Sequence, residues 1–292
     1  MKFGKIEQAE LVDFSLPDTH PGTKNVLNHS KEKPEPNVYV GCAKWNRTDL
    51  KGFYPRGTKD ELTYYATQFN CIELNATFYG IPSINQVITW RDKTPDDFKF
   101  FPKITNTISH YRRLNNVSEL VQEFCFNVSN FESKLGMIFL QLHDNFTSKD
   151  FDRLKEFIVS FPAGMPLAIE LRNTSWFNDN KISSELYSLL EENNITNILV
   201  DTAGRRDLLH MRLTTPTAFI RYVGANLPSD YERLDEWVER VGDWIESGLE
   251  NLYFFVHQNI EKESPLLSSY FIQKLNKKYN LNVRGPGQSG LF

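Results

Sequence analysis

The feature that most constrains the fold is a regular alternation between short β-type runs and helical segments, which starts near residue 38. Each run is rich in β-branched and aromatic residues, which favour strands. The segments between most runs have helical spacing; in the first of them, Leu62, Tyr65, Ala66 and Phe69 fall on one helix face. The predicted strands lie at 38–45, 72–79, 98–104, 137–143, 166–172, 197–202, 218–223 and 252–259.

Other segments with helical spacing are 117–133, 148–160, 181–193, 229–248 and 264–279, whereas the segments after the second and sixth strands are less clearly helical. Eight strands alternating with helices match a (β/α)8 TIM barrel, which typically takes ~250 residues. The main rival, a doubly wound open sheet, usually carries a glycine-rich phosphate turn after its first strand. The turn here, GCAKWNRTDLKG, is not of that kind.

The sequence therefore predicts one α/β domain, a TIM barrel over residues 37–292, preceded by a polar extension over residues 1–36. The extension holds too few apolar residues to form a core of its own, so we expect an arm or a packed-on segment.

Charge and cysteine content limit the partners and the compartment. The chain has 33 Lys and Arg against 37 Asp and Glu, a net charge of −4, which gives no general attraction for nucleic acid or anionic membrane. Three cysteines without a CxxC motif indicate a reducing compartment, so we expect a cytoplasmic protein. Neither a secretory signal nor an apolar run of about 18 residues is found. The oligomeric state stays open.

Polar residues alternate with apolar ones in most of the predicted strands. In the second strand, for example, Glu73 and Asn75 alternate with Ile72 and Leu74. Because the layer between strands and helices must be dry, we expect the apolar set to face the helices and the polar set to face the barrel axis. The inward polar side chains predicted in this way are Glu73, Asn75, Lys103, Gln141, His143, Glu170, Arg172, Asp201, Arg221, His257 and Asn259.

Charged groups in such a place need partners, water or a ligand. We expect Glu73, Lys103, Glu170, Arg172 and Arg221 to share one pocket at the C-terminal mouth of the barrel, where active sites of this fold lie. The alternative is an internal salt-bridge network that fills the mouth, although ionic networks are poor substitutes for apolar packing.

Several longer motifs resemble the YecE family, a family of unknown function. They are VGCAKW, KGFYP, IELNATFY, TPDDFKFFPK, ISHYRRL, LGMIFLQL and AIELRNTSWF, and together with the Asp-Thr pair at 201–202 they cover about 38–260. The resemblance implies a single-domain, soluble TIM barrel and no settled activity. The chain departs from the family pattern at His143, where the family usually has proline, at Ser109, where it has threonine, and at 222–224, where a histidine is missing.

The polar set suggests an enzyme that acts on a small anionic or sugar-like molecule, such as a sugar phosphate or a sugar acid. Arg172 and Arg221 are suited to clamp a carboxylate or phosphate. Glu170 and Asp201 lie on neighbouring strands and are candidates for an acid–base pair. The predicted catalytic residues are Glu73, Lys103, His110, Glu170 and Asp201, with His110 as a proton shuttle and Lys103 as a phosphate contact or a Schiff-base nucleophile.

The predicted substrate-binding residues are Trp45, Tyr54, Asn75, Tyr79, Gln141, Arg172, Trp176, Arg221 and His257. The aromatic members are candidates to stack on a sugar or base, or else they pack in the core. A lyase, an isomerase or a hydrolase fits this set, and no cofactor is predicted.

Three alternatives stay open. A metal-dependent phosphoesterase or hydrolase would use Glu73, Glu170, Asp201 and His257 as ligands, although no H-x-H or H-E-x-x-H spacing supports it. The stretch KITNTISHYRRL is a small basic and aromatic patch of the kind that binds nucleic acid, but such a run is more often a solvated loop. A non-catalytic scaffold is the third alternative.

Overall fold

In the computed structural model, which describes residues 4–28 and 35–287, parallel strands alternate with helices along the chain. All eight predicted strands are present. They are β1 Asn37–Cys42, β2 Cys71–Leu74, β3 Lys99–Pro102, β4 Ile138–Gln141, β5 Leu167–Glu170, β6 Thr196–Asp201, β7 Thr217–Gly224 and β8 Asn251–Gln258.

The helices lie where the spacing predicts them, with two additions. The α-helices are α1 Pro21–Leu27, α2 Glu61–Gln68, α3 Ile84–Asp92, α4 Ser118–Val128, α5 Phe151–Ser160, α6 Asn180–Glu192, α7 Ser229–Glu246 and α8 Ser264–Tyr279. The additions are α1, within the extension, and α3, after the second strand. No helix in the described ranges combines the length and the apolar character needed to cross a bilayer.

Six of the strands form one curled parallel sheet in the order β1-β8-β7-β6-β5-β4, and β2 and β3 pair separately. Isolated parallel bridges, Phe100 with Leu135 and Lys103 with Phe139, connect β3 to the region of β4. The structure is therefore an α/β fold built on a six-stranded half-barrel, in which the eight-stranded ladder is not continuous.

Side chains take the place of a backbone ladder between β1 and β2. Asn70 accepts a hydrogen bond from the Val40 amide (3.2 Å) and donates one to the Val38 carbonyl (2.8 Å). One amide side chain thus satisfies both backbone polar groups that an adjacent strand would otherwise pair.

Removing this bridge should destabilise the fold. We expect Asn70→Ala to lower the free energy of unfolding by about 1–3 kcal/mol, because it leaves two part-buried backbone groups without partners. Urea unfolding, compared with Asn178→Ala at an exposed position, measures the effect. Equal stabilities of the two variants would contradict this role of Asn70.

The chain approaches itself closely at the same junction. The Tyr65 hydroxyl accepts from the Cys42 amide (2.8 Å) and donates to the Cys71 carbonyl (3.1 Å). A Cβ on Gly41 would lie 2.4 Å from the Cys71 carbonyl oxygen, so only glycine permits this approach of β1 to β2.

An apolar layer fills the space enclosed by the strands, separate from the larger core beneath the helices. Phe101 packs against Tyr253 and Phe255 with ring centroids 4.7 and 4.9 Å apart. On most strands the predicted inward polar residue comes two positions after a residue of this apolar layer and therefore lies on the same face of the strand. The layer of polar side chains thus rests on the apolar layer. The apolar layer consists of Cys71, Phe101, Phe139, Ala168, Ile198, Val200, Phe219 and Phe255, flanked by Tyr39, Met137 and Tyr253.

The N-terminal arm, residues 4–28, covers the outer layer beside β6 and α7. β6 is followed by 3-10 turns rather than by an α-helix, and the arm packs there instead. The Gly4 carbonyl accepts from the Gly204 amide (2.8 Å), and the Phe14 ring lies 4.1 Å from the guanidinium carbon of Arg233. The arm thereby runs up to the C-terminal ends of the strands, where the candidate site lies.

Candidate functional site

An open cavity of about 850 Å³ lies at the C-terminal ends of the strands. Polar side chains from several strands and the loops after them form its inner part, namely Asn75, Lys103, Gln141, Arg172, Arg221 and His257. Tyr79 and residues of the surrounding loops line the rest, among them Lys5, Lys44, Asp49, Lys51, Glu261 and Lys262. The cavity is thus lined by five lysines and two arginines but by only two carboxylates, and this excess of positive charge favours an anionic ligand.

A buried ion-pair network lies under the cavity and is centred on Arg221. Its guanidinium holds Glu73 bidentately, with Nη2 to Oε1 at 2.8 Å and Nε to Oε2 at 2.9 Å, and its Nη1 donates to Glu170 Oε2. Arg172 Nε donates to the other oxygen of Glu170, and His257 Nε2 lies 2.9 Å from Glu73 Oε2. Both carboxylates are fully buried. They therefore orient the arginines and do not themselves face the cavity.

The Gln141 side chain connects three cations and retains one donor. Its Oε1 accepts from Lys103 Nζ (2.8 Å), Arg172 Nη2 (2.7 Å) and Arg221 Nη1 (3.3 Å). Its Nε2 is buried and has no hydrogen-bond partner among the described residues. Because an unsatisfied buried donor is costly, this N–H group next to a cavity indicates an acceptor that a ligand would supply.

The two buried carboxylates are held ionised. Burial alone would raise the pKa of Glu170, but Arg172, Arg221 and Lys103 lower it to about 2. Against the same burial, Arg221 and His257 hold the pKa of Glu73 well below its usual range. Neither group is thus a proton donor at neutral pH.

Lys103 is the one cation of the inner cavity without a carboxylate at ion-pair distance within the described ranges. Its Nζ lies 4.1 Å from the centroid of the Phe78 ring and donates a hydrogen bond to Gln141 Oε1. Burial, followed by the nearby Arg221, lowers the pKa of Lys103 to about 7. A lysine of this kind exchanges a proton readily at neutral pH.

His110 lies beside Lys103 on a π-helical turn, Thr107–Tyr111. Its imidazole packs edge-on against the same Phe78 ring at 5.0 Å, and its Nδ1 lies 2.8 Å from the Ser109 hydroxyl. Burial, and then the charge of Lys103, lowers the pKa of His110 to about 4. The imidazole is therefore neutral at physiological pH.

Asp201 does not join this group, and the predicted acid–base pair with Glu170 is wrong. Val200, not Asp201, is in register with Arg221 and shares its inward face. Asp201 faces outward, accepts from Trp237 Nε1 (2.8 Å) and pairs with Arg206 and Arg233. It fixes β6 to α7 and has no route to the cavity.

Three of the predicted aromatic contacts are also wrong. Trp176 is fully buried and donates its indole N–H to the Phe146 carbonyl (2.9 Å), so it belongs to the core. The Tyr54 hydroxyl bonds to the Trp45 carbonyl, and neither ring lines the cavity. Among the predicted aromatic residues Tyr79 alone lines it, with four-fifths of its surface exposed.

The structure also adds residues that the sequence interpretation missed. Phe78, which packs against both Lys103 and His110, belongs to the IELNATFY motif and directly precedes the exposed Tyr79, and an apolar ring at this position gave no chemical signal in the sequence. The lysines of the rim lie in loops, and Lys5 lies in the arm.

The predicted metal ligands do not converge. Glu73 and Glu170 are held by Arg221, and Asp201 lies on the opposite face of β6. Within residues 4–28 and 35–287, no three His, Cys, Asp or Glu side chains are placed to hold a metal ion.

The predicted basic patch is also divided. Lys103 is buried below the cavity, whereas Arg112 and Arg113 are exposed beyond the π-helical turn. The three cations therefore do not form one surface on which a phosphate backbone would lie.

Comparisons with known proteins agree on one family. The sequence profile described as "Protein of unknown function DUF72" matches residues 39–289, nearly the whole chain after the arm. The UPF0759 protein YecE of Escherichia coli K12 is 26% identical over 280 residues, which cover 87% of this chain and all of YecE. The UPF0759 protein YunF of Bacillus subtilis 168 is 27% identical over 155 residues, 48% of this chain and 52% of YunF.

Solved structures of the same family share the fold. A DUF72 family protein from Thermotoga maritima MSB8 has a TM-score of 0.66 and 26% identity, and the match covers 82% of this chain and 99% of that one. A DUF72 family protein from Enterococcus faecalis V583 has a TM-score of 0.67 and 19% identity, over 85% of this chain and 99% of the other. The resemblance to the YecE family is thereby confirmed.

Proposed function

This chain belongs to the DUF72 family of proteins of unknown function, and we propose that it is an enzyme acting on a small, polar, anionic substrate. The reaction takes place in the cavity at the C-terminal ends of the strands and uses acid–base chemistry. A sugar phosphate or a sugar acid fits the cavity of about 850 Å³, and a lyase, an isomerase or a hydrolase fits its side chains.

The architecture of the proposal is a (β/α)8 barrel closed by irregular junctions. The two isolated bridges support closure between β3 and β4, and the Asn70 and Tyr65 side chains support it between β1 and β2. The cavity then occupies the end of the barrel where enzymes of this fold place their active sites.

The observation that carries the proposal is the unpaired Nε2 donor of Gln141 beside three cations. Arg172, Arg221 and Lys103 all converge on Gln141 Oε1, and the donor of the same amide, in a residue that lines the cavity, has no partner among the described residues. An anionic oxygen placed there would accept from Gln141 and meet the positive field of the arginines.

The residues then take separate roles. Arg172 and Gln141 bind the anionic group, Lys103 exchanges protons near pH 7, and neutral His110 relays them. Glu73 and Glu170 hold Arg221 and Arg172 in place. This differs from the sequence-based assignment, in which the two glutamates were catalytic.

Thermal unfolding with a panel of anions tests the proposal. We expect at least one of phosphate, sulfate, ribose 5-phosphate, glucose 6-phosphate, gluconate and glucuronate to raise Tm in a saturable manner. A ligand at ~100 times its Kd stabilises the folded state by about 2.7 kcal/mol. The shift should disappear in Arg172→Gln and persist in Lys155→Gln, an exposed lysine on α5. A panel without effect, or an effect indifferent to Arg172, would end the proposal.

The depressed pKa of Lys103 predicts a gain in stability when the lysine is removed. An unfolded lysine has a pKa of 10.5, above the value of about 7 in the folded state, so the group opposes folding fully below pH 7 and less as the pH rises towards 10.5. We expect Lys103→Met to be more stable than the parent at pH 6 by on the order of 2 kcal/mol. This figure allows for the hydrogen bond to Gln141 that the variant loses. Urea unfolding at pH 6 and pH 10 should show this gain shrinking; a pH-independent difference would contradict it.

The cysteines support a reducing compartment such as the cytoplasm. Cys42, Cys71 and Cys125 are all buried as free thiols. No disulfide joins any two of them.

A further inference from the structure

We propose that Lys103 is a nucleophile that forms an imine with the carbonyl carbon of an anionic aldehyde or ketone. This inference rests on the proposed function and narrows its substrate class, from small anions to small anions that carry a carbonyl group.

Lys103 has no carboxylate at ion-pair distance among the described residues. The two buried carboxylates that might stabilise an ammonium group, Glu73 and Glu170, are bound by Arg221, and Glu170 also by Arg172. Lys103 is only 5% exposed, so water compensates little. An ammonium ion here is poorly stabilised, and the group is a free amine for much of the time near neutral pH, as its pKa of about 7 indicates.

The fold holds the amine of Lys103 at the cavity. Lys103 follows β3 directly, and its backbone bridges to Phe139, so the side chain is anchored at the floor of the cavity. The Phe78 ring on one side and Gln141 Oε1 on the other limit the directions available to Nζ. The amine lone pair of such a lysine has little freedom except towards the open space that the cavity provides.

The groups that would bind an anion lie next to the amine of Lys103. Arg172 Nη2 and Lys103 Nζ both contact Gln141 Oε1, at 2.7 and 2.8 Å. The guanidinium and the amine are therefore close enough for one small molecule to contact both. A compound with a carboxylate or phosphate near its carbonyl group can therefore place the anion at Arg172 and Gln141 Nε2, and the carbonyl carbon at Lys103.

The step balances without an external reagent. The free amine attacks the carbonyl carbon, the N–C bond forms and the carbonyl π bond opens; one N–H proton moves to the oxygen to give a carbinolamine. The second N–H proton then moves to the hydroxyl group, which leaves as water as the C=N bond forms. We assign the relay of these protons to neutral His110, which packs on the same Phe78 ring as Lys103 and lies 2.8 Å from the Ser109 hydroxyl.

Reductive trapping on the full-length chain tests the inference. Glyoxylate is the anionic aldehyde probe and glycolaldehyde is its neutral counterpart of similar size; cyanoborohydride reduces any imine, and peptide mapping by mass spectrometry locates it. We expect glyoxylate to label Lys103 before the exposed lysines, about tenfold faster than glycolaldehyde does, since the anion subsite concentrates only the former. The rate should rise through pH 7 as the amine loses its proton.

Two variants and a competitor complete the experiment. Arg172→Gln should slow labelling of Lys103 by glyoxylate about tenfold more than labelling by glycolaldehyde, because loss of the Arg172 charge raises the pKa of Lys103 for both probes but removes the anion subsite for glyoxylate alone; Lys155→Gln should alter neither rate. Inorganic phosphate should protect Lys103.

The result separates the two proposals. Labelling confined to exposed lysines, with the anion-dependent Tm shift intact, overturns the imine and leaves the anion-binding enzyme standing. Absence of both signals overturns both.

Discussion

Replacing Arg221 with methionine should lower the free energy of unfolding by about 3–5 kcal/mol, since it leaves two buried carboxylates without their shared partner. Arg221 is 6% exposed, Glu73 and Glu170 are at most 1% exposed, and their three side chains lie above the apolar layer that fills the space enclosed by the strands. Methionine fills a similar volume, so the loss measures charge and hydrogen bonding more than packing. Urea unfolding at pH 7, with the exposed Arg56→Met as control, gives the difference.

The pH dependence of this variant should have the opposite sign to that of the parent. In the parent, the pKa of Glu170 is about 2 in the folded state against 4.5 unfolded, so its contribution is present above pH 4.5 and is lost as the pH falls towards 2. Without Arg221, burial dominates and raises the pKa of Glu73. The variant should therefore regain stability as the pH falls from 7 to 5. A variant that only loses stability with acid would show that Arg221 is not what keeps these carboxylates ionised.

The alternating strands show how much of the site the sequence can predict. In β2, β4, β5 and β7, a single polar residue between apolar ones specifies its own face, because the helix layer excludes it. Glu73, Gln141, Glu170 and Arg221 accordingly meet where the alternation predicts. The motifs that resemble the family contain these four positions as well, so they indicate the same residues independently of the alternation.

The error at β6 has a definite physical cause. Its residues are apolar on both faces, with Ile198 and Val200 inside and Leu199 in the outer core, so alternation gives no direction. The only charged residue, Asp201, comes at the end of the run. Its face is decided by Trp237, 36 residues later on α7, and no local pattern contains that contact.

The positions of the loop and aromatic side chains could not be predicted from the sequence for a related reason. Trp176 lies in a long polar motif, yet its indole N–H finds a carbonyl in another loop, at Phe146, and the ring becomes core. Lys5 reaches the cavity because the arm bonds to the 3-10 turns after β6. Such placements depend on contacts between distant segments, whereas strand periodicity depends on neighbours alone.

The same contact at Asp201 leads to the second large effect that we expect. Asp201→Asn should lower the free energy of unfolding by about 3 kcal/mol, because Arg206 loses its carboxylate partner and Arg233, which is 2% exposed, keeps only Asp230. The hydrogen bond from Trp237 can survive, so the loss reports on charge. Asp207→Asn, which alters an exposed pair with Arg205, is the matched control and should cost at most about 0.5 kcal/mol.

A second readout separates this role from one in the cavity. Because Asp201 faces α7 and not the cavity, Asp201→Asn should keep the anion-dependent rise in Tm that Arg172→Gln abolishes. The quantity to compare is the rise in Tm caused by the anion, not the Tm itself, because the Tm of the variant without ligand will be lower than that of the parent. If Asp201→Asn instead unfolds like the parent but no longer responds to any anion, Asp201 acts in the cavity, and the inward face of β6 is then the one that carries the carboxylate.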